Sequence, residues 1–102
     1  MASGTLGQAS LAASTNTTVY NVGATPSVFN VEIVNTTGYL AAVNLAISAT
    51  STPAAGEYLE YQTLIPAGGV LERGGIVATT GKNVVALSTI AGVNVNVYGY
   101  EG

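Results

Sequence analysis

The sequence predicts an all-β fold: a single antiparallel β-sandwich of about seven strands, Ig-like or jelly-roll-like, with an extended N-terminal arm. Three observations predict it. Turn-forming clusters recur at short intervals from residue 17 onward, at residues 23–26, 36–38, 50–56, 66–69, 79–82 and 91–92, as in sandwiches and barrels. The segments between them alternate apolar and polar residues with a period of two. The composition is 48% hydrophobic, with 13 Gly and six Tyr, and its abundant Val, Ile and Thr suit strands and turns better than helices. A length of 102 residues fits one domain with a modest core.

The elements follow in order. Residues 1–16 are mostly Gly, Ala, Ser, Thr and Gln, with no period. They suit either a loose terminus or an arm ordered by docking Leu6 and Leu11 on a neighbouring subunit. The sandwich is expected over residues 17–102. In VFNVEIVN, Phe29, Val31 and Ile33 share one face and Asn30 and Glu32 the other. In AAVNLAIS, Val43, Leu45 and Ile47 oppose Ala42, Asn44, Ala46 and Ser48. In EYLEYQTLI, Leu59, Tyr61, Thr63 and Ile65 oppose Tyr58, Glu60 and Gln62. Gly74 and Gly75 predict a bulge, and TGKN at residues 80–83 a tight hairpin turn with Gly81 at positive φ. In VNVNVYGYE, Val93, Val95 and Val97 oppose Asn94, Asn96, Tyr98 and Tyr100.

Charge is scarce. Only 7% of residues are charged and the net charge is −3, against about 25% charged in an average domain. Lys82 and Arg73 are the only cations, which argues against binding nucleic acid or anionic lipid. The outward side is expected to carry Val28, Val34, Ala42, Ala46, Val84 and Ala86. So many apolar groups with so few charges favour burial against partner subunits, and edge strands without lysine are expected to pair with something. No cysteine is present, so neither a disulfide nor a thiolate metal site is available. The first residues lack the basic and apolar runs of a signal peptide, and no apolar run approaches the ~20 residues of a membrane span.

Catalytic groups are nearly missing. The chain has no His, Cys or Asp, which removes the usual bases and zinc ligands. A Ser–Lys pair would need a buried lysine, and Lys82 falls in a turn. Glu57 and Glu60 lie on opposite strand faces; Glu60 and Glu72 could meet across neighbouring strands, with solvated or ion-paired roles favoured over a glycosidase pair. GIVATTGKN departs from the phosphate-loop pattern in spacing and in Asn83. Asn16-Thr17-Thr18 and Asn35-Thr36-Thr37 match the glycosylation pattern but lack a secretory signal. Asn94, Asn96, Tyr98 and Tyr100 suit a subunit interface, or less readily a glycan strip. Neither a cofactor nor a metal is expected, and the chain is not expected to be an enzyme.

Glu57, Glu60, Glu72 and Arg73 concentrate the charge in EYLEYQTLIPAGGVLERGG. Arg73 is expected to pair with Glu60 or with a partner's carboxylate, at an interface rim that includes Tyr58. From EYLEY through GVLERGGIV to the Gly81-Lys82 turn, and again at VYGYE, the chain resembles small virion structural proteins of tailed bacteriophages, particularly phages of aquatic bacteria and cyanobacteria. The resemblance covers about residues 53–101 and none of residues 1–16. It implies a non-enzymatic virion part, first a head decoration or cement protein over junctions between major capsid proteins. Such a protein would be a homo-oligomer, trimer or dimer, contacting capsid and sister subunits on the phage head after synthesis in the host cytoplasm. A tail, baseplate or fibre module ranks second, and a glycan-binding adhesin domain third.

Overall fold

The structure is a computed structural model that describes residues 3–23 and 26–101. Eight strands follow in order: β1 (Ser3–Ser10), β2 (Thr17–Asn21), β3 (Ser27–Asn35), β4 (Ala41–Ser48), β5 (Tyr58–Ile65), β6 (Val70–Ala78), β7 (Asn83–Ser88) and β8 (Val93–Glu101). A 3-10 turn at Ala55–Glu57 precedes β5. The strands form two antiparallel four-stranded sheets, ordered β1-β8-β3-β6 and β2-β7-β4-β5. The pairing is nested: β4 with β5, β3 with β6, β2 with β7 and β1 with β8. Contacts of β3 with β8 and β4 with β7 complete the sheets. This is the strand order of a jelly roll, so the expected all-β sandwich is the fold.

Alternation builds the core. Phe29, Val31 and Ile33 of β3 and Val93, Val95 and Val97 of β8 join Val43 and Leu45 of β4 and Val84 and Ala86 of β7 in one buried cluster. Tyr20 packs edge-on against Phe29, with ring centroids 5.8 Å apart, a favoured aromatic geometry. Its hydroxyl meets Ser27 Oγ at 2.8 Å, so the buried phenol is hydrogen-bonded.

Four expectations change. The segment read as an arm contains β1, paired with β8 from Ser3↔Tyr100 to Ser10↔Asn94; the sandwich therefore has eight strands and begins well before residue 17. Leu11 is buried in the chain's own core and Leu6 packs against it, so neither is a free anchor for a neighbour. Val84 and Ala86 face inward; Val85 is the residue turned outward. Tyr61 is exposed rather than facing inward with Leu59 and Ile65, because the irregularity between the Thr63 and Glu60 pairings flips its parity relative to Ile65.

The turns also differ in what they join. Gly81 has φ +88° and Lys82 N–H donates to Thr79 O at 3.2 Å, as expected of a tight turn. The turn carries the chain from one sheet to the other instead of closing a hairpin. The turn at residues 66–69 does the same, so β5 and β6 become edge strands of opposite sheets.

Among the described residues, extra residues sit only in edge strands. β1, β2 and β6 each carry one extra residue relative to their inner partner, and β5 carries two. The Gly74–Gly75 bulge was expected; Gly75 has φ +67°, open to glycine at little cost. The two inner pairs run in unbroken register. Bulges twist an edge away from regular pairing, and they protect these edges in place of lysine.

Two contacts close the flanks of the sandwich. Between β5 and β6, Arg73 Nη1 donates to Glu60 Oε2 at 3.0 Å. Glu60 is in register with core Leu45, and Arg73 with core Val31, so both charges lie on the inner side at the rim. Between β1 and β2, Gly7 sits so close to the Val19 carbonyl that a Cβ there would overlap it.

Candidate functional site: the outer faces of the two sheets

The outer face of sheet β1-β8-β3-β6 is set by alternation. Asn94, Asn96, Tyr98 and Tyr100 lie opposite the buried valines of β8, as expected from the period of two. They continue across the sheet in register. Tyr100 pairs with Val28 and Val28 with Val77, and these side chains are 52%, 49% and 69% exposed. Further along, Gln8 pairs with Asn96, Asn96 with Glu32 and Glu32 with Glu72. Gln8 Nε2 donates to Asn96 Oδ1 at 2.7 Å. Thus one end of the face is apolar, while a row of amides and two carboxylates crosses it nearby.

Glu32 and Glu72 stand directly opposite each other and have no hydrogen-bond or ion-pair partner among the described residues. Glu60 and Glu72 do not come together: Glu60 belongs to the other sheet and pairs with Arg73. Glu60 also accepts a hydrogen bond from Thr63 Oγ1 at 2.7 Å. The charge-rich stretch therefore splits into an ion pair on a flank and a carboxylate on an outer face.

The outer face of the second sheet is partly covered by the chain itself. Ala46 and Val85, in register and turned outward, are fully buried without belonging to the core cluster. Tyr58 is the register partner of Ala46, and its ring meets Tyr61 edge-on at 4.9 Å. These tyrosines line a cleft of ≈ 430 Å³ with Pro53 and Ala55 of the β4–β5 loop.

Glu57 organises that loop. Its carboxylate accepts hydrogen bonds from Ala54 N–H at 2.8 Å, Ser48 Oγ at 2.8 Å and Ala49 N–H at 3.1 Å. These bonds favour the charged form and hold its pKa below the ordinary carboxylate value, the Ala54 amide most strongly. Glu57 is thus a structural anion.

Asn35 has a similar role at the β3–β4 corner. Its Nδ2 donates to Tyr39 O at 2.7 Å and Ile65 O at 3.0 Å, and its Oδ1 accepts from Thr37 N–H and Oγ1. The side chain is fully buried, so this sequon is an internal corner. Asn16 is exposed.

The chain matches no known protein family, curated protein or solved structure.

Among the described residues no three His, Cys, Asp or Glu side chains assemble as a metal set. No described helix is long and apolar enough to cross a membrane. The tyrosines, amides and exposed valines are instead residue types suited to broad surface contact. The alternation signal finds the β8 strip and turns Glu32 outward, but misses Val77 and the meeting of Glu32 with Glu72, which depend on pairing between distant strands.

Proposed function

We propose that the chain is a non-enzymatic structural subunit of a tailed-phage particle, first a decoration or cement protein of the head. The single observation that carries this reading is the open outer face of β1-β8-β3-β6, where Tyr100, Val28 and Val77 form an exposed apolar row on a chain with seven charged residues. Such a face gains by burial of area against neighbouring subunits. The jelly-roll order is compatible with this role, although jelly rolls also serve lectins and cupins. The resemblance of residues 53–101 to phage virion proteins supplies the particle context. Major capsid subunits, with sister copies beside them, are the partners in this reading. A tail, baseplate or fibre position uses the same physics at another site.

Cement function is binding linked to stability: a subunit that binds only assembled capsid stabilises that state. Cryo-electron microscopy of virions should place the chain over capsid junctions, and heads lacking it should open at lower temperature. Density confined to tail or baseplate selects that alternative, and absence from the virion removes the proposal.

A glycan-binding reading is favoured by Tyr98 and Tyr100 sharing a face with Asn94 and Asn96. Binding on a glycan array that Tyr98→Ala abolishes would replace the structural role.

A further inference from the structure

We infer that the outer face of β1-β8-β3-β6 docks a protein other than a second copy of this chain, and that the partner places an arginine or lysine cation between Glu32 and Glu72 with aliphatic groups around it. The inference rests on the structural role proposed above and identifies its contact surface.

The choice of face follows from comparing the two sheets. The second sheet buries outward Ala46 and Val85 within the same chain and exposes Tyr61 and Leu64 on one edge strand, β5, whereas on the first sheet exposed Tyr100, Val28 and Val77 form a continuous row across three paired strands. Edge-to-edge growth is disfavoured because every edge strand carries an extra residue. Broad contact is therefore assigned to the open face.

The charge pattern selects the occupant. Like charges directly opposite on neighbouring strands are destabilising, yet Glu32 and Glu72 occupy such positions without a counter-ion among the described residues. Their Cβ atoms are roughly 5 Å apart by the geometry of directly opposed strand residues. A cation entering between the carboxylates converts this repulsion into two charge-assisted contacts. Tyr98, on the same face of β8 beyond Asn96, provides an aromatic wall diagonal to Glu32, the kind of surface on which guanidinium stacks.

A second copy does not supply the cation from the equivalent face. Arg73 is drawn into the flank by Glu60, and Lys82 belongs to the β6–β7 turn. Packing two such faces together would gather four carboxylates with no cation from either face. The complementary surface is therefore that of another protein, apolar opposite Val28 and Val77 and basic opposite the glutamates.

The test uses particles of the encoding phage assembled without this chain as the binding probe. Wild type is compared with Glu32→Gln/Glu72→Gln and Val77→Ser, and sedimentation of the free proteins is measured in parallel. Wild type is expected to bind, the double variant to bind at least about tenfold more weakly, and Val77→Ser also to lose affinity. Removing opposed charges should keep the melting temperature of the double variant at or above wild type, so unfolding does not explain that loss. Double-variant affinity within about twofold of wild type overturns the docking inference while leaving the structural role standing. Failure of wild type to bind the particles overturns both. Wild-type self-association that Lys82→Gln or the double variant abolishes makes a second copy the occupant and overturns the inference.

Discussion

Arg73 and Glu60 face each other across the flank of the sandwich, Nη1 to Oε2 at 3.0 Å, from edge strands of different sheets. The connection between those strands passes through the turn at residues 66–69, so the pair also holds the two ends of a corner. The arginine side chain is 43% exposed. Water and salt therefore screen the contact, and it acts more on register and edge shape than on total stability.

A double-mutant cycle of Arg73→Ala and Glu60→Gln should give a coupling energy of about 0.2–1 kcal/mol by chemical denaturation. Raising salt to about 0.5 M should reduce it. A coupling that is unchanged by salt would contradict a solvent-screened pair.

Gly7 closes the opposite flank. Gly7→Ala places a methyl group against the Val19 carbonyl, so β1 and β2 must separate. A loss of about 1–3 kcal/mol is expected from this overpacking. Thermal melting should show it, whereas Gly38→Ala, where a Cβ meets nothing within 4 Å, should shift the midpoint much less.

Asn35 and Asn16 carry the same glycosylation pattern with different consequences. Asn35→Ala removes a buried amide and leaves the Ile65 carbonyl without that donor, for an expected loss of about 1–3 kcal/mol. Asn16→Ala, at an exposed position, should stay within about 0.5 kcal/mol. Equal effects in urea unfolding would contradict the corner role of Asn35.

The Glu57 loop has a defined pH response. Its folded pKa is lowered, so its contribution is present above the unfolded carboxylate pKa and is lost as pH falls through the lower folded value. Exchange at Ala49 and Ala54 amides, corrected for intrinsic rates, should reveal acid-induced loosening, and Glu57→Gln should remove that pH dependence. Unchanged pH dependence in Glu57→Gln would exclude this carboxylate as its source.

Most of the fold is legible in local pattern because the turns bracket β2 to β8 and the valines of β8 alternate cleanly. SGTLGQAS is not legible as a strand: its single large apolar residue is Leu6, and it becomes a strand through the ladder to β8. NVVALS has apolar residues on both faces, so alternation cannot tell Val84 from Val85. The β8 strip is visible for the same reason its valines are. Glu32 opposite Glu72 is not, since that meeting depends on the register of β3 with β6.

Nesting also imposes an order of assembly. β4 and β5 can meet soon after synthesis, but Gln8 must wait for Asn96, 88 positions later. Closing such long loops is entropically slow, and topologies dominated by distant pairing fold late. β1 leaves the ribosome before the other strands of this sandwich, yet it is among the last of them to find its partner. Pulse-labelled exchange during refolding should protect the β4–β5 amides before those of β1; simultaneous protection would rule out this outward closure.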